Sequence, residues 1–231
     1  MTSRKSDLST GQAERPKDGR AGSGAALARA LVATLPASTA TLFNSHRSQC
    51  DRAAEGDQPS DRIARLASHI ECQAKYILCG EAPSHRGQRL SGVAFTSERL
   101  LLEGKIPRIR IESRLSTTKL PFSENSATIV WRTLYSLGIA EQTVLWNSVQ
   151  LHPHKAGDIW SNRTPTFKEC QIGLPAIEIL RGAFPEARWV AVGNRAATAL
   201  ECLGIPAQPV RHPSMGDATK FAEGLAVFIQ G

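Results

Sequence analysis

The chain has 231 residues, 41% of them hydrophobic and 21% charged, which describes a soluble globular protein with one domain of ordinary size. A formal net charge of +7 and an isoelectric point near 9.5 are compatible with a polyanionic partner but do not require one. Five cysteines, an odd number with no C-x-x-C pair and no zinc-finger spacing, show no disulfide framework and favour the reduced thiols of a cytoplasmic protein.

The N-terminal segment differs from the rest of the chain in composition. Residues 1–24 are polar, basic and nearly free of large apolar side chains, so we expect a disordered basic tail followed by one domain over residues 25–231. Residues 25–35 resemble the apolar core of a secretory signal, but Arg29 interrupts them and acidic residues precede them. They therefore predict a helix, and no apolar run in the chain approaches the length of a membrane span.

Helical patterns alternate with short apolar runs along the domain. The helical patterns cover residues 25–43 with a break at Pro36, 60–70, 97–103, 126–137, 167–182 and 195–203. The apolar runs predict strands at residues 76–80, 143–146, 188–192 and 207–211. The predicted loops are residues 44–59, 80–92, 105–125 and 150–166. Strands separated by helices indicate right-handed crossovers and a parallel sheet that is covered on both faces.

A polar side chain follows three of the four predicted strands. Glu81 follows the first strand and opens a loop rich in proline and glycine, Asn147 follows the second strand, and His212 follows the fourth. In open α/β sheets, ligands bind at the carboxyl ends of the strands. We therefore expect these three side chains to share one site.

Six segments, each at the end of an expected element, carry a resemblance to a known family. They are GEAPSHRG (80–87), RLSGVAFTSE (89–98), WNSVQLHPH (146–154), SNRTPT (161–166), VGNRAATAL (192–200) and RHPS (211–214). In this order they resemble the uracil-DNA glycosylase superfamily, in particular its bacterial family-4-like branch. The resemblance implies a three-layer α/β/α sandwich with a four-stranded parallel sheet in the order 2-1-3-4, and a site where strands one and three diverge.

The resemblance also implies a function. The chain is expected to be a monofunctional DNA glycosylase that hydrolyses the N-glycosidic bond of uracil, or of a related deaminated base, and so initiates base excision repair. Its expected partner is single- or double-stranded DNA, and it is expected to act as a cytoplasmic monomer without a cofactor. Two alternatives stay open: a non-catalytic DNA- or base-binding relative with the same fold, and a glycosylase whose main substrate is hypoxanthine or xanthine.

The resemblance assigns roles to the three polar residues at the strand ends. Glu81 would orient the attacking water and stabilise positive charge on the sugar, while His212 would donate a hydrogen bond to uracil O2 as the bond breaks. Asn147 would recognise the uracil edge, because one carboxamide offers both a donor and an acceptor. From the residues alone, Glu81 could instead accept hydrogen bonds from its own loop, and Asn147 could simply form a turn.

The same motifs predict the residues around the base and along the DNA. Phe95 would stack on the flipped base, although a core phenylalanine is the alternative. Ala82, Pro83 and Ser84 would complete the base pocket. The predicted DNA contacts are Arg86, Arg89, Arg211, Ser214 and Met215. Met215 could wedge into the space left by the flipped base or simply pack on the surface.

The chain departs from the family-4 pattern in its cysteines. Enzymes of that branch commonly hold an iron–sulfur cluster with four cysteines, one of them four residues after the motif asparagine, where this chain has Leu151. Cys170 lies near, but not at, a second ligand position. Since four thiolates are normally needed, we expect no cluster.

The loops contain two further departures from the family-4 pattern and a pair of histidines. Ser84 replaces a glycine and could narrow the pocket, and His85 stands where the close branch often has tyrosine. His152 and His154 lie two residues apart but lack further ligands at suitable spacing. We therefore expect these two histidines to line the groove or to fix the loop and not to bind a metal.

Overall fold

The computed structural model describes residues 24–214 and 216–231. The predicted N-terminal tail, apart from Gly24, and the predicted DNA contact Met215 lie outside the described residues. Helix α1 (Gly24–Ala33) begins one residue before the predicted helix. None of the described helices is long and apolar enough to cross a membrane.

Helices and strands alternate along the described part of the chain. After α1 the helices are α2 (Pro59–Ile70), α3 (Gln88–Ser91), α4 (Glu98–Leu102), α5 (Asn125–Ser136), α6 (Phe167–Ile172), α7 (Leu174–Ala183), α8 (Asn194–Cys202) and α9 (Ala218–Gln230). The strands are β1 (Leu42–Phe43), β2 (Tyr76–Gly80), β3 (Thr143–Asn147), β4 (His152–Pro153), β5 (Arg188–Val192) and β6 (Ala207–Val210).

Four of the strands form a parallel sheet in the order β3-β2-β5-β6. Numbered along the chain, this is the order 2-1-3-4, so the predicted fold class and strand order are confirmed. The register pairs Gly80 at the end of β2 with Asn147 at the end of β3. The segments that follow β2 and β3 therefore leave the sheet side by side at its carboxyl edge.

Alternation of side chains along the strands creates two apolar layers. On one face, Leu78 of β2 belongs to a buried cluster with Trp131 of α5 and Phe221 of α9. On the other face, its neighbours Ile77 and Cys79 join a cluster with α1, α2, α7 and α8. Successive strand residues point to opposite faces of a sheet. Burial of both faces under helices gives the three-layer α/β/α sandwich.

The predicted helix 25–43 is shorter in the structure, and its last residues form β1 instead. Pro36 interrupts the helical pattern, and the Thr39 hydroxyl then accepts the backbone N–H of Leu42 at 3.1 Å, which favours a turn. β1 pairs antiparallel with β4, which lies inside the predicted loop 150–166. This two-stranded sheet was not expected, and it ties the segment after β3 to the N-terminal part of the domain.

Two more helices differ from the prediction. The predicted helix 167–182 is divided into α6 and α7 at Gly173, where a side chain would collide with the backbone of Ser148. Pro175, in the first turn of α7, also has no N–H with which to continue α6. Helix α9 is missing from the sequence prediction and packs against β6.

Candidate active site

A cleft of about 490 Å³ opens at the carboxyl edge of the sheet. Glu81, Asn147 and His212 all line it, so the structure brings the three strand-end residues together. The cleft is also lined by six other predicted site residues, which are Ala82, Pro83, Ser84, Arg86, Phe95 and Ser214.

Glu81 is the first residue after β2 and is half-buried. Its Oε1 accepts the backbone N–H of Arg195 at 3.2 Å, at the N-terminus of α8. Gly193 makes this approach possible, because its φ is 93° and a Cβ there would lie 2.6 Å from Oε1. The positive end of the α8 dipole therefore faces one carboxylate oxygen, and no donor among the described residues binds the other. The carboxylate caps a helix and not its own loop.

Asn147 ends β3 and is only 3% exposed. Its Nδ2 donates to Oε1 of Gln88 at 2.7 Å. A Cβ on the paired residue Gly80 would lie 2.5 Å from Asn147 Oδ1 and would also collide with the ring of Phe95. The glycine at the end of β2 therefore lets the amide and the aromatic ring meet at the sheet edge.

Phe95 is a core residue and a cleft residue at the same time. It is buried in the cluster around Leu78, yet it also lines the cleft. Its φ of 49° lies in the left-handed region, which is unusual for an aromatic residue. The indole N–H of Trp131 donates to the Phe95 carbonyl at 2.9 Å and stabilises this conformation. The centroids of the Phe95 and His212 rings are 6.1 Å apart.

His212 follows β6 and lines the cleft. Its Nδ1 lies 3.3 Å from the backbone nitrogen of Ser214 and 2.9 Å from the Ser214 hydroxyl. Since a backbone N–H can only donate, Nδ1 is the acceptor and the ring proton of the neutral imidazole lies on Nε2. Burial lowers the pKa of His212 below its ordinary value, while the negative charge of Glu81 opposes this shift.

Two buried glutamines near Asn147 are absent from the sequence prediction. Gln88 starts α3, within the predicted loop 80–92, and its Nε2 donates to Oε1 of Gln150 at 2.6 Å. The Nε2 of Gln150 donates in turn to the backbone carbonyl of Asn147 at 2.6 Å. Both glutamines lie in or beside the family motifs, but nothing in their spacing brings residue 88 to residue 147.

Asn162 is another cleft residue that the sequence did not single out. Its Oδ1 lies 3.0 Å from the backbone nitrogen and from Nδ1 of His85, and 3.0 Å from Nε2 of His152. Arg89 donates to Nδ1 of His152 at 3.0 Å, so the proton of that ring is on Nε2 and points to Asn162. With its oxygen occupied, Asn162 has its amide nitrogen left for other partners.

The predicted DNA contacts differ in accessibility. Arg86 and Arg211 are exposed, and Arg86 lines the cleft. Arg89 is only 1% exposed, and its guanidinium lies 3.7 Å from the centre of the Phe43 ring and 4.8 Å from the centre of the Trp160 ring. The structure therefore does not support Arg89 as a phosphate contact, because its side chain is buried against these two aromatic rings.

No group of three or more potential metal ligands occurs within residues 24–214 and 216–231. His152 and His154 are buried and do not line the cleft, so they fix the loop and do not border the groove. Leu151 is fully buried in an apolar cluster with Val149 and Cys170. The position of a cluster ligand in the family-4 pattern is thus filled by an apolar side chain, and a four-cysteine site does not fit here.

Comparison with known proteins identifies the family. A family model described as the uracil DNA glycosylase superfamily matches residues 67–228, well over half of the chain. The chain belongs to this superfamily. The crystal structure of wild-type SMUG2 from Pedobacter heparinus is similar, with a TM-score of 0.54 and 13% sequence identity over 88% of this chain and 97% of that chain. At this identity the likeness concerns the fold alone. No curated protein matches the chain in sequence.

Proposed function

We propose that this protein is a DNA glycosylase that hydrolyses the N-glycosidic bond of uracil, or of a related deaminated base, in DNA. Membership of the superfamily supports a glycosylase that acts on DNA. The observation that carries the proposal is the meeting of Glu81, Asn147 and His212 in one cleft at the carboxyl edge of the sheet. Glu81 supplies a negative charge for the cation-like sugar, and Asn147 supplies an amide donor and acceptor for the edge of the base. His212 supplies a neutral donor for the departing base.

A base must leave the DNA stack before its bond to the sugar can be reached. The cleft of about 490 Å³ is within the size range of small-molecule sites. Phe95 supplies the face on which the flipped base stacks, an interaction typically worth about 1–3 kcal/mol. Asn147 binds the N3–H and O4 of uracil through Oδ1 and Nδ2.

Glu81 and His212 act on opposite charges as the bond breaks. The free oxygen of Glu81 stabilises the cation-like sugar and orients the attacking water, while its other oxygen is held by the N-terminus of α8. Negative charge builds on the departing uracil, and Nε2–H of His212 donates to its O2. Because burial lowers the pKa of His212, the imidazole stays a neutral donor at and above neutral pH.

Exposed groups around the cleft complete the proposed DNA contact. Arg86 and Arg211 contact phosphates, and the exposed Ser214 approaches the DNA strand. Such contacts are independent of sequence and release counterions, so the affinity for DNA falls as the salt concentration rises. The net charge of +7 supports this mode of binding.

The test is a base-release assay on otherwise identical oligonucleotides that carry uracil, hypoxanthine or xanthine, in single and double strands. Wild-type protein is expected to release at least one of these bases and to leave an alkali-sensitive site. Glu81→Gln is the matched control and is expected to release the base far more slowly. Tight binding without release of any of the three bases would contradict the proposal and indicate a non-catalytic binding protein.

A further inference from the structure

Three buried carboxamides form a hydrogen-bonded chain at the wall of the cleft, which two of them, Gln88 and Asn147, line. Gln88, Asn147 and Gln150 are 1%, 3% and 1% exposed. Nδ2 of Asn147 donates to Oε1 of Gln88 at 2.7 Å, and Nε2 of Gln88 donates to Oε1 of Gln150 at 2.6 Å. Nε2 of Gln150 then donates to the backbone carbonyl of Asn147 at 2.6 Å, so the chain begins and ends on the same residue.

The backbone carbonyl fixes the orientation of every amide in this chain. A carbonyl oxygen only accepts, so Gln150 must present Nε2 to it and Oε1 to Gln88. Gln88 must then present Nε2 to Gln150 and Oε1 to Asn147, which leaves Nδ2 of Asn147 as the donor. Reversal of a single amide would bring two acceptors or two donors together in a buried site, where unpaired polar groups are strongly unfavourable.

Gln88 lies in α3, and a side chain of α2 binds the backbone of this helix. The guanidinium of the buried Arg65 donates to the carbonyl of Ser91 at 2.8 Å and to that of Leu90 at 3.1 Å. Arg65 itself pairs with the buried Asp57 at 2.8 Å. With α3 fixed in this way, Gln88 cannot follow a rotation of the Asn147 amide.

We propose that Gln88 is a positioning residue that fixes the Asn147 amide and thereby makes the cleft select bases with a ring N–H beside a carbonyl. This inference rests on the proposed function and adds the origin of its base choice. With one Nδ2 hydrogen held by Gln88, Asn147 offers Oδ1 and its second Nδ2 hydrogen to N3–H and O4 of uracil. Cytosine has an amino group and an unprotonated N3 at these positions. It needs the reversed amide, which the contact with Gln88 prevents.

The test compares Gln88→Met in the wild-type and Asn147→Asp backgrounds by single-turnover release of uracil and cytosine from matched oligonucleotides. Methionine keeps the approximate volume and removes both hydrogen bonds. In the wild-type background, uracil release is expected to fall roughly 10- to 100-fold, and the uracil-to-cytosine ratio with it. In the Asn147→Asp background, cytosine release is expected to rise, because Oε1 of Gln88 there opposes a carboxylate and its removal relieves the repulsion.

Gln171→Met, the same change at an exposed position of α6, is the matched control and is expected to leave the ratio unchanged. Gln150→Met removes the side chain that orients Gln88 but keeps the contact between Gln88 and Asn147. If Gln88→Met does not fold, the uracil-to-cytosine release ratio of Gln150→Met tests the inference instead. An unchanged uracil-to-cytosine release ratio, or an equal loss of base release in the wild-type and Asn147→Asp backgrounds, would overturn the inference and leave the proposed function intact. A wild-type protein that releases no deaminated base would overturn both.

Discussion

The two edge strands of the sheet, β3 and β6, lie at the two sides of the cleft and differ in how they are held. Every residue of β3 is buried, and Asn147 at its end is bonded to a buried neighbour. Two of the four residues of β6 are exposed, and so is Ser214 in the loop that carries His212. Each strand has only one neighbour in the sheet, so the difference comes from what covers it.

The cover on β3 comes from side chains of other elements. Nε2 of His69 in α2 accepts the backbone N–H of Leu145 at 2.9 Å, which satisfies part of the open strand edge. β6 instead carries Pro209, a residue that suits an unpaired edge. The proposed base-recognising amide is therefore held in place before the base arrives, whereas the proposed donor to the leaving group lies on the side open to DNA.

Glu81 lies between the two sides, and its substitution is expected to have the largest effect. Glu81→Gln keeps the size of the side chain but removes the negative charge that stabilises the sugar. Single-turnover uracil release is expected to fall by about 10²–10⁴, with the affinity for uracil-containing DNA nearly unchanged. A rate within about threefold of wild type would show that Glu81 only caps α8.

On the open side, His212→Ala is expected to slow bond cleavage more than it weakens binding. Loss of one donor aimed at a developing negative charge typically raises the barrier by roughly 2.7–4 kcal/mol. The single-turnover rate and the affinity for DNA, measured on the same substrate, separate the two effects. Severely weakened binding with an intact rate would make the imidazole a docking group.

Acid is expected to lower the free energy of unfolding, because three buried histidines are neutral in the folded protein. Burial lowers the pKa of His46 to about 4 and that of His69 and His152 to about 3. Unfolding returns each pKa to about 6.5, so the unfolded chain binds more protons below that pH, and stability falls as the pH drops. Each histidine is expected to lower the free energy of unfolding by about 2 kcal/mol between pH 7 and pH 5. Urea denaturation checks this, and a constant free energy would contradict it.

The smallest effects are expected at the exposed arginines. Arg86→Ala and Arg211→Ala should each reduce the slope of log K for DNA against log salt by about 1, measured by fluorescence anisotropy. Arg89→Ala should leave the slope unchanged and lower stability instead, because its guanidinium packs on Phe43 and binds His152. An equal slope change at Arg89 would place that side chain on the DNA and contradict its burial.

The sheet and the three strand-end residues follow from local rules. Apolar runs separated by helical patterns predict a parallel sheet, and the carboxyl ends of such strands lie at one edge. The sequence therefore places Glu81, Asn147 and His212 together without knowledge of the packing. The division of the predicted helix 167–182 could also be predicted from the sequence, because Gly173 and Pro175 lie in its middle.

The carboxamide chain and the burial of Arg89 depend on tertiary contacts that the spacing of residues along the sequence does not reveal. Gln88 meets Asn147 only because α3 folds back onto the end of β3. Arg89, one residue later, is buried because β1 brings Phe43 beneath it, and β1 forms only by pairing with β4. A basic side chain in a motif is equally compatible with exposure and burial until these long-range pairings are known.

The division of roles between β3 and β6 is tested most directly by single-turnover base release with Asn147→Asp and His212→Ala, side by side on uracil- and cytosine-containing oligonucleotides. Asn147→Asp is expected to slow uracil release and to permit some cytosine release, because the carboxylate lacks the amide donor. His212→Ala is expected to slow uracil release without admitting cytosine. If Asn147→Asp keeps the choice of base, or His212→Ala changes it, the base is not recognised at the end of β3 and the proposed roles are wrong.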